Sequence, residues 1–97
     1  MNVFAVSPDR KTKLGNWDVR GCDKIFFSDI SDRGIRNEVQ GFADFQNNGE
    51  AYIGDKGMLE EFINDINWNK EPLLLQELNA ALGDPLLDDW EFFINYY

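Results

Sequence analysis

The chain has 97 residues, the size of one ordinary domain, and its apolar content of 43% is too high for a long disordered protein. It contains no histidine and one cysteine, so we expect no enzymatic activity, no cofactor and no zinc or iron–sulfur site. Its formal net charge of −9 predicts attraction to basic surfaces and repulsion from nucleic acid and anionic membranes.

The first half of the chain has the pattern of a β-sheet. Short apolar or β-branched runs predict strands at residues 3–6, 14–19 and 24–27. Two further strands are predicted at 39–45, where apolar residues alternate, and at 51–54. The Asn48-Gly49 pair between these two runs is a strong hairpin signal, because both residues adopt positive φ at low cost.

The second half changes to helical spacing. One apolar stripe predicts a helix, and it consists of Met58, Leu59, Phe62, Ile63 and Ile66. A second helix is predicted from Pro72, which suits a first helical turn, and Gly83 followed by Pro85 ends it. The tail at 90–97 is rich in strand formers and is predicted either as a final strand or as a third helix.

These elements define the predicted fold class as α+β. We expect a small antiparallel sheet, formed mainly by the N-terminal half, with two helices packed on one of its faces. We find no internal repeat, linker or low-complexity segment, so residues 1–97 are predicted to form a single domain.

A partial calcium-loop pattern overlaps the predicted hairpin. Asp44, Asn48, Gly49 and Asp55 stand at positions one, five, six and twelve of such a loop. Position three is Gln46, the last acid is Asp instead of the longer bidentate Glu, and no clear helix precedes the loop. The hairpin explains the same residues better, and we therefore predict no metal site.

The net negative charge comes entirely from the second half of the chain. Through Asn47, seven acidic residues are matched by seven basic ones. From Asn48 onward there are eleven acidic residues, opposed only by Lys56 and Lys70. Since this half is the helical one, the carboxylates are expected to lie on a rigid scaffold.

Carboxylates one helical turn apart lie about 5–6 Å from each other, a spacing comparable to that of phosphates along one DNA strand. A row of such acids on the predicted helices, Glu71 included, can bind the Lys and Arg side chains that normally contact phosphates. We predict that seven residues bind a basic partner as phosphate surrogates: Glu60, Glu61, Asp65, Asp84, Asp88, Asp89 and Glu91.

The end of the chain resembles a known class of inhibitors. Residues 75–85 lead through Asp88-Asp89 into Trp90-Glu91 and the aromatic tail. This arrangement is similar to a pattern in phage and plasmid antirestriction proteins. Asn95 stands where that pattern has an acid. The overall profile resembles DNA-mimic anti-CRISPR proteins at least as well. The resemblance implies an inhibitor whose acidic face occupies the target-DNA channel of a CRISPR surveillance complex.

Two other functions fit the same features. An immunity protein or antitoxin that blocks the basic active site of a nuclease toxin would also be small, acidic and non-catalytic. A plain interaction or structural domain would carry the acids only as a solvated surface. The partner that we predict is a basic DNA- or RNA-binding protein or complex, with a CRISPR surveillance complex favoured, and we expect no direct binding of nucleic acid or membrane.

The sequence also indicates where the protein acts. No apolar run approaches the roughly 18 residues that span a bilayer, and the N-terminus lacks the features of a secretory signal. The single Cys22 cannot form an internal disulfide, which small secreted domains often need. We therefore expect a protein of the cytoplasm, which for an inhibitor of the resembled class is that of the bacterial host.

Overall fold

A computed structural model describes residues 1–7, 23–42 and 49–95. The described residues form four strands, β1 (Asn2–Val6), β2 (Lys24–Asp29), β3 (Glu50–Gly54) and β4 (Glu91–Asn95). They also form three α-helices, α1 (Arg33–Phe42), α2 (Lys56–Asp65) and α3 (Pro72–Leu82), followed by a 3₁₀ turn at Pro85–Leu87. The predicted α+β class is confirmed, with one more helix than the sequence indicated.

The sheet is antiparallel, with the strand order β2-β1-β4-β3. Residues 91–95 of the tail therefore form a strand, as one of the two predictions had it, and this strand lies in the centre of the sheet between β1 and β3. Phe92 and Ile94 of β4 point into the main core, while Phe93 belongs to a second apolar cluster. A strand that is apolar on both sides is typical of a central position with both faces covered.

The strand predicted at 39–45 is wrong at residues 39–42, because residues 33–42 form helix α1, and β3 pairs with β4 instead of with a strand at those residues. Ile35 and Val39 are buried one turn apart, and the ring of Phe42 packs edge-on against Phe62 at 5.2 Å. Asp32 begins the helix, since its Oδ2 accepts a hydrogen bond from the N–H of Ile35 at 3.0 Å. The alternation of Val39, Gly41, Ala43 and Phe45 suggested a strand, but Val39 belongs to the buried side of the helix together with Ile35.

Other parts of the first half agree with the sequence or lie outside the described residues. The strands predicted at 3–6 and 24–27 are present as β1 and β2, and the one predicted at 51–54 is β3. Gly49, with φ of 78°, supplies the positive φ expected at the start of β3. The strand predicted at 14–19 and residues 43–48 lie outside the described ranges.

Both predicted helices of the second half are confirmed. Leu59, Phe62 and Ile63 are the buried stripe of α2, and Asp55 caps its N-terminus by accepting from the N–H of Met58 at 3.1 Å. Helix α3 begins at Pro72 and ends before Gly83. The buried faces of both helices join the main core, which includes the inward side chains of the four-stranded sheet.

A row of four aromatic rings crosses the outer face of the sheet, opposite the helices. Phe26, Phe4, Phe93 and Tyr52 come from β2, β1, β4 and β3, and successive ring centroids lie 5.3, 5.5 and 5.2 Å apart. The two central rings are buried, while Phe26 and Tyr52 at the edges are exposed. The row ties all four strands together through cross-strand aromatic pairs.

Candidate functional site: the acidic surface of helix α2 and the following turn

Three of the predicted partner-binding acids lie on the solvent side of α2. Glu60, Glu61 and Asp65 are exposed, and their carboxylates form no hydrogen bond or ion pair within the described part of the chain. Glu61 and Asp65 are four residues apart, which places them about 6 Å from each other along the helix axis. No described residue therefore occupies these three carboxylates.

The acids after α3 are attached to the first turn of α2 through Lys56. Its ammonium donates to the main-chain oxygen of Asp84 and to Oδ1 of Asp88, both at 2.6 Å. The Lys56 side chain is only 18% exposed, whereas that of Asp88 remains 65% exposed. The 3₁₀ turn is therefore attached to the first turn of α2 through Lys56.

Asp84 and Asp89 have different roles in this turn. Asp84 is half-buried and caps the 3₁₀ turn, because its Oδ1 accepts from the N–H of Leu86 at 3.0 Å. Asp89 is exposed, and its carboxylate has no partner among the described residues. We define the acidic surface as Glu60, Glu61, Asp65, Asp88 and Asp89.

Glu91 lies apart from this surface. It stands on β4 in phase with Phe93, on the face of the sheet opposite the helices, and accepts from the hydroxyl of Tyr52 at 3.3 Å. Burial raises the pKa of Tyr52, and the neighbouring carboxylate of Glu91 raises it further. The structure thus places three of the seven predicted residues on α2 and two, Asp88 and Asp89, beside the turn that Lys56 attaches to α2, whereas Asp84 is a cap and Glu91 lies on β4.

Two more acids of the second half are used inside the fold. Oε1 of Glu71 accepts from the N–H groups of Ser31 and Asp32, both at 2.9 Å, and from the hydroxyl of Ser31 at 3.0 Å. Burial acts to raise the pKa of Glu71, but these hydrogen bonds outweigh it and hold the pKa below its ordinary value. Oε2 of Glu77 accepts from the N–H of Ser28 on edge strand β2 at 3.2 Å.

These contacts remove Glu71 from the row of phosphate surrogates to which the sequence assigned it. Glu71 and Glu77 instead connect α3 to the segment that leads from β2 into α1. Both carboxylates accept hydrogen bonds from main-chain N–H groups, which need a partner wherever water is excluded. Their negative charge therefore serves the fold more than it serves a partner.

Two residues at this surface, Lys56 and Leu86, were not predicted from the sequence as functional candidates. Lys56 holds the turn through its hydrogen bonds to Asp84 and Asp88. The sequence feature that could have indicated this role is that Lys56 is one of only two basic residues among eleven acids. Leu86 is 81% exposed in the middle of the turn. Nothing in its pattern distinguished it from the neighbouring Leu87, which is buried.

The calcium-like pattern gains one feature and loses another. Helix α1 ends at Phe42, so a helix does precede the loop. Asp55, the acid at position twelve, caps helix α2 with its side chain. Residues 43–48 lie outside the described ranges. Among the described residues, no three His, Cys, Asp or Glu side chains converge as metal ligands.

An open groove of about 430 Å³ lies between the start of α1 and the α2–α3 loop. Asp32, Glu38 and Lys70 contribute its charged side chains. Asp32 is already engaged in capping α1, and Oδ1 of Asn67 accepts from the N–H of Asn69 at 3.0 Å. The groove is separate from the acidic surface.

Comparison of the chain with protein-family models, curated proteins and solved structures finds no match to any of them. In the described part of the chain, no helix has the length and apolar character that crossing a membrane requires.

Proposed function

We propose that the protein is a non-enzymatic inhibitor that occupies the nucleic-acid-binding surface of a basic protein or complex. A CRISPR surveillance complex in the bacterial cytoplasm is the favoured partner, and its binding of target DNA is the step that is blocked. The observation that carries this proposal is a set of exposed carboxylates on α2 and at Asp89 that have no partner among residues 1–7, 23–42 and 49–95.

The scaffold supports the proposal because it fixes these carboxylates in advance. Leu59, Phe62 and Ile63 anchor the buried side of α2, and Lys56 fixes the turn that carries Asp88 and Asp89. A prearranged surface loses less conformational freedom on binding than a flexible acidic tail would. Arg side chains that bind phosphates also bind carboxylates in bidentate geometry.

The charge distribution supports the choice of partner. Like-charged groups on one helix face destabilise the fold slightly, as Glu61 and Asp65 do here, and a bound basic surface compensates for that cost. The same field repels DNA, RNA and anionic lipids. The protein is therefore expected to act on proteins that bind nucleic acid and not on the nucleic acid itself.

The proposal is tested by displacement of DNA. A panel of purified CRISPR surveillance complexes is loaded with fluorescent target duplex, and the protein is added in increasing amounts. The proposal predicts loss of DNA from at least one complex, with no binding of the protein to the free duplex. Retention of DNA by every complex would contradict the assignment to CRISPR complexes.

A parallel experiment distinguishes the proposed function from the alternative, that the protein is an immunity protein. The same preparation is added to purified nuclease toxins, and cleavage of a labelled substrate is followed. Inhibition of a nuclease together with unchanged DNA binding by the CRISPR complexes would favour the immunity function. Inhibition in neither arm would leave the acids with a role in solvation only.

A further inference from the structure

Leu86 is the most exposed large apolar residue that the structure describes, with 81% of its surface accessible. It lies in the 3₁₀ turn at Pro85–Leu87, between Asp84 and the pair Asp88-Asp89. The next residue, Leu87, is buried in the main core and anchors the turn. An apolar side chain thus projects from the same turn that carries part of the acidic surface.

The main chain on both sides of Leu86 is held by hydrogen bonds. The N–H of Leu86 donates to Oδ1 of Asp84, and the N–H of Leu87 donates to the main-chain oxygen of Asp84, both at 3.0 Å. Lys56 donates to Asp84 and Asp88 from the side of α2. The position of the leucine is therefore set before any partner arrives, which lowers the entropic cost of using it in an interface.

Single exposed leucines are common on protein surfaces, and Leu73 on α3, which is 61% exposed, is an example. Leu86 differs from it in two ways: the side chains of Lys56 and Asp84 fix its turn, and the exposed carboxylates of Asp88 and Asp89 follow it. Interfaces often have an apolar centre enclosed by a polar rim, with most of the binding energy at the centre. In this turn Leu86 corresponds to the apolar centre, and the carboxylates of Asp88 and Asp89 correspond to part of the polar rim.

We infer that Leu86 is an apolar anchor of the acidic surface, and that the partner is a basic protein surface with an apolar pocket bordered by Lys or Arg. The inference rests on the proposed function only in taking the partner to be basic. It goes beyond phosphate mimicry, because a phosphate row has no counterpart to a leucine side chain. Binding then has one component that salt weakens and another that salt leaves intact.

Two synthetic peptides of equal length and charge test the inference without knowledge of the natural partner. One alternates arginine with leucine, and the other alternates arginine with glycine. Affinities for the full chain are measured by isothermal titration calorimetry. Burial of one leucine side chain predicts about tenfold tighter binding of the arginine–leucine peptide by the wild type.

Leu86→Ser is expected to remove this preference, whereas the matched control Leu73→Ser is expected to keep it. Both side chains are exposed, so both variants are expected to fold, and their melting temperatures verify this. The inference is overturned if Leu86→Ser retains the preference or if the wild type shows none. Failure of the proposed function appears separately, as binding of both peptides that is unchanged by the triple variant Glu60→Gln, Glu61→Gln, Asp65→Asn.

Discussion

The ammonium of Lys56 lies 2.6 Å from Oδ1 of Asp88 and connects the first turn of α2 to the turn that follows α3. It donates at the same distance to the main-chain oxygen of Asp84, so one cation holds two points of that turn. Lys56 thereby decides where Asp88, Asp89 and Leu86 stand relative to the acids of α2.

Replacing Lys56 with Met should lower the free energy of unfolding by about 1–2 kcal/mol, because a charged hydrogen bond and a partly exposed ion pair are lost. Lys70→Met changes the net charge equally, and since Lys70 is exposed it should cost less than about 0.5 kcal/mol. Urea denaturation of both variants measures the difference. Equal losses would show that charge alone, and not the attachment of the turn, is responsible.

Replacing Glu71 with Gln should destabilise the fold by an amount on the order of 1 kcal/mol, after allowance for its partial exposure. The pKa of Glu71 is below the ordinary 4.5 in the folded state. Its contribution is therefore complete above about pH 4.5 and is lost as the pH falls from there through the folded-state pKa. Stability of the wild type should decline in this window more steeply than that of the variant.

Denaturation curves between pH 3 and pH 7, compared at equal ionic strength, measure this effect. Glu61→Gln is the matched control, because the carboxylate of Glu61 is exposed and has no partner in the described part of the chain. Its profile should follow that of the wild type. Parallel profiles for the wild type and Glu71→Gln would contradict the role of Glu71 in joining α3 to α1.

Replacing Gly54 with Ala should cost about 1–3 kcal/mol. Gly54 has φ of 129°, and an added Cβ would lie 2.7 Å from both Cβ and Cγ of Met58. Gly41→Ala, within α1, meets nothing within 4 Å and should stabilise the protein by about 0.5–1 kcal/mol. Thermal melts of the two variants should therefore shift in opposite directions, and a shift of Gly41→Ala to lower temperature would count against helix α1.

Replacing Phe93 with Ala should cost about 3–5 kcal/mol, because its buried ring stacks on Phe4 and packs at a tilt against Tyr52 in the centre of the aromatic row. Phe26→Ala removes a ring at the edge that is 58% exposed and should cost about 1 kcal/mol or less. Denaturation midpoints compare the two. Similar losses would contradict the central position of β4.

The parts of the fold that the sequence predicts well are those whose signals are local. Helices α2 and α3 have apolar stripes whose residues recur every three or four positions, and Pro72 and Gly83 mark the ends of α3. Helix α1 has only Ile35, Val39 and Phe42 as an apolar stripe, among polar residues. Part of what stabilises its start is Glu71, a carboxylate that approaches from 39 residues further along the chain. No local pattern could report that contact.

The acidic surface was predictable to a similar extent. Exposure of Glu60, Glu61 and Asp65 follows from their positions opposite the apolar stripe of α2, which the sequence shows directly. The pairing of Asp88 with Lys56 spans 32 residues and depends on how α3 returns the chain to α2. The placement of Glu91 depends on the register of β4, because a shift of one residue would move it to the other face.

The most direct test of the account compares two triple variants in the displacement of target DNA from a CRISPR surveillance complex, measured over a range of salt concentrations. Glu60→Gln, Glu61→Gln, Asp65→Asn removes the acids of α2. Asp23→Asn, Asp29→Asn, Glu38→Gln changes the charge equally at exposed positions elsewhere. The first variant is expected to inhibit about tenfold less than the wild type and with a weaker dependence on salt, while the second is expected to remain close to the wild type. Equal inhibition by the two variants at every salt concentration would contradict this expectation.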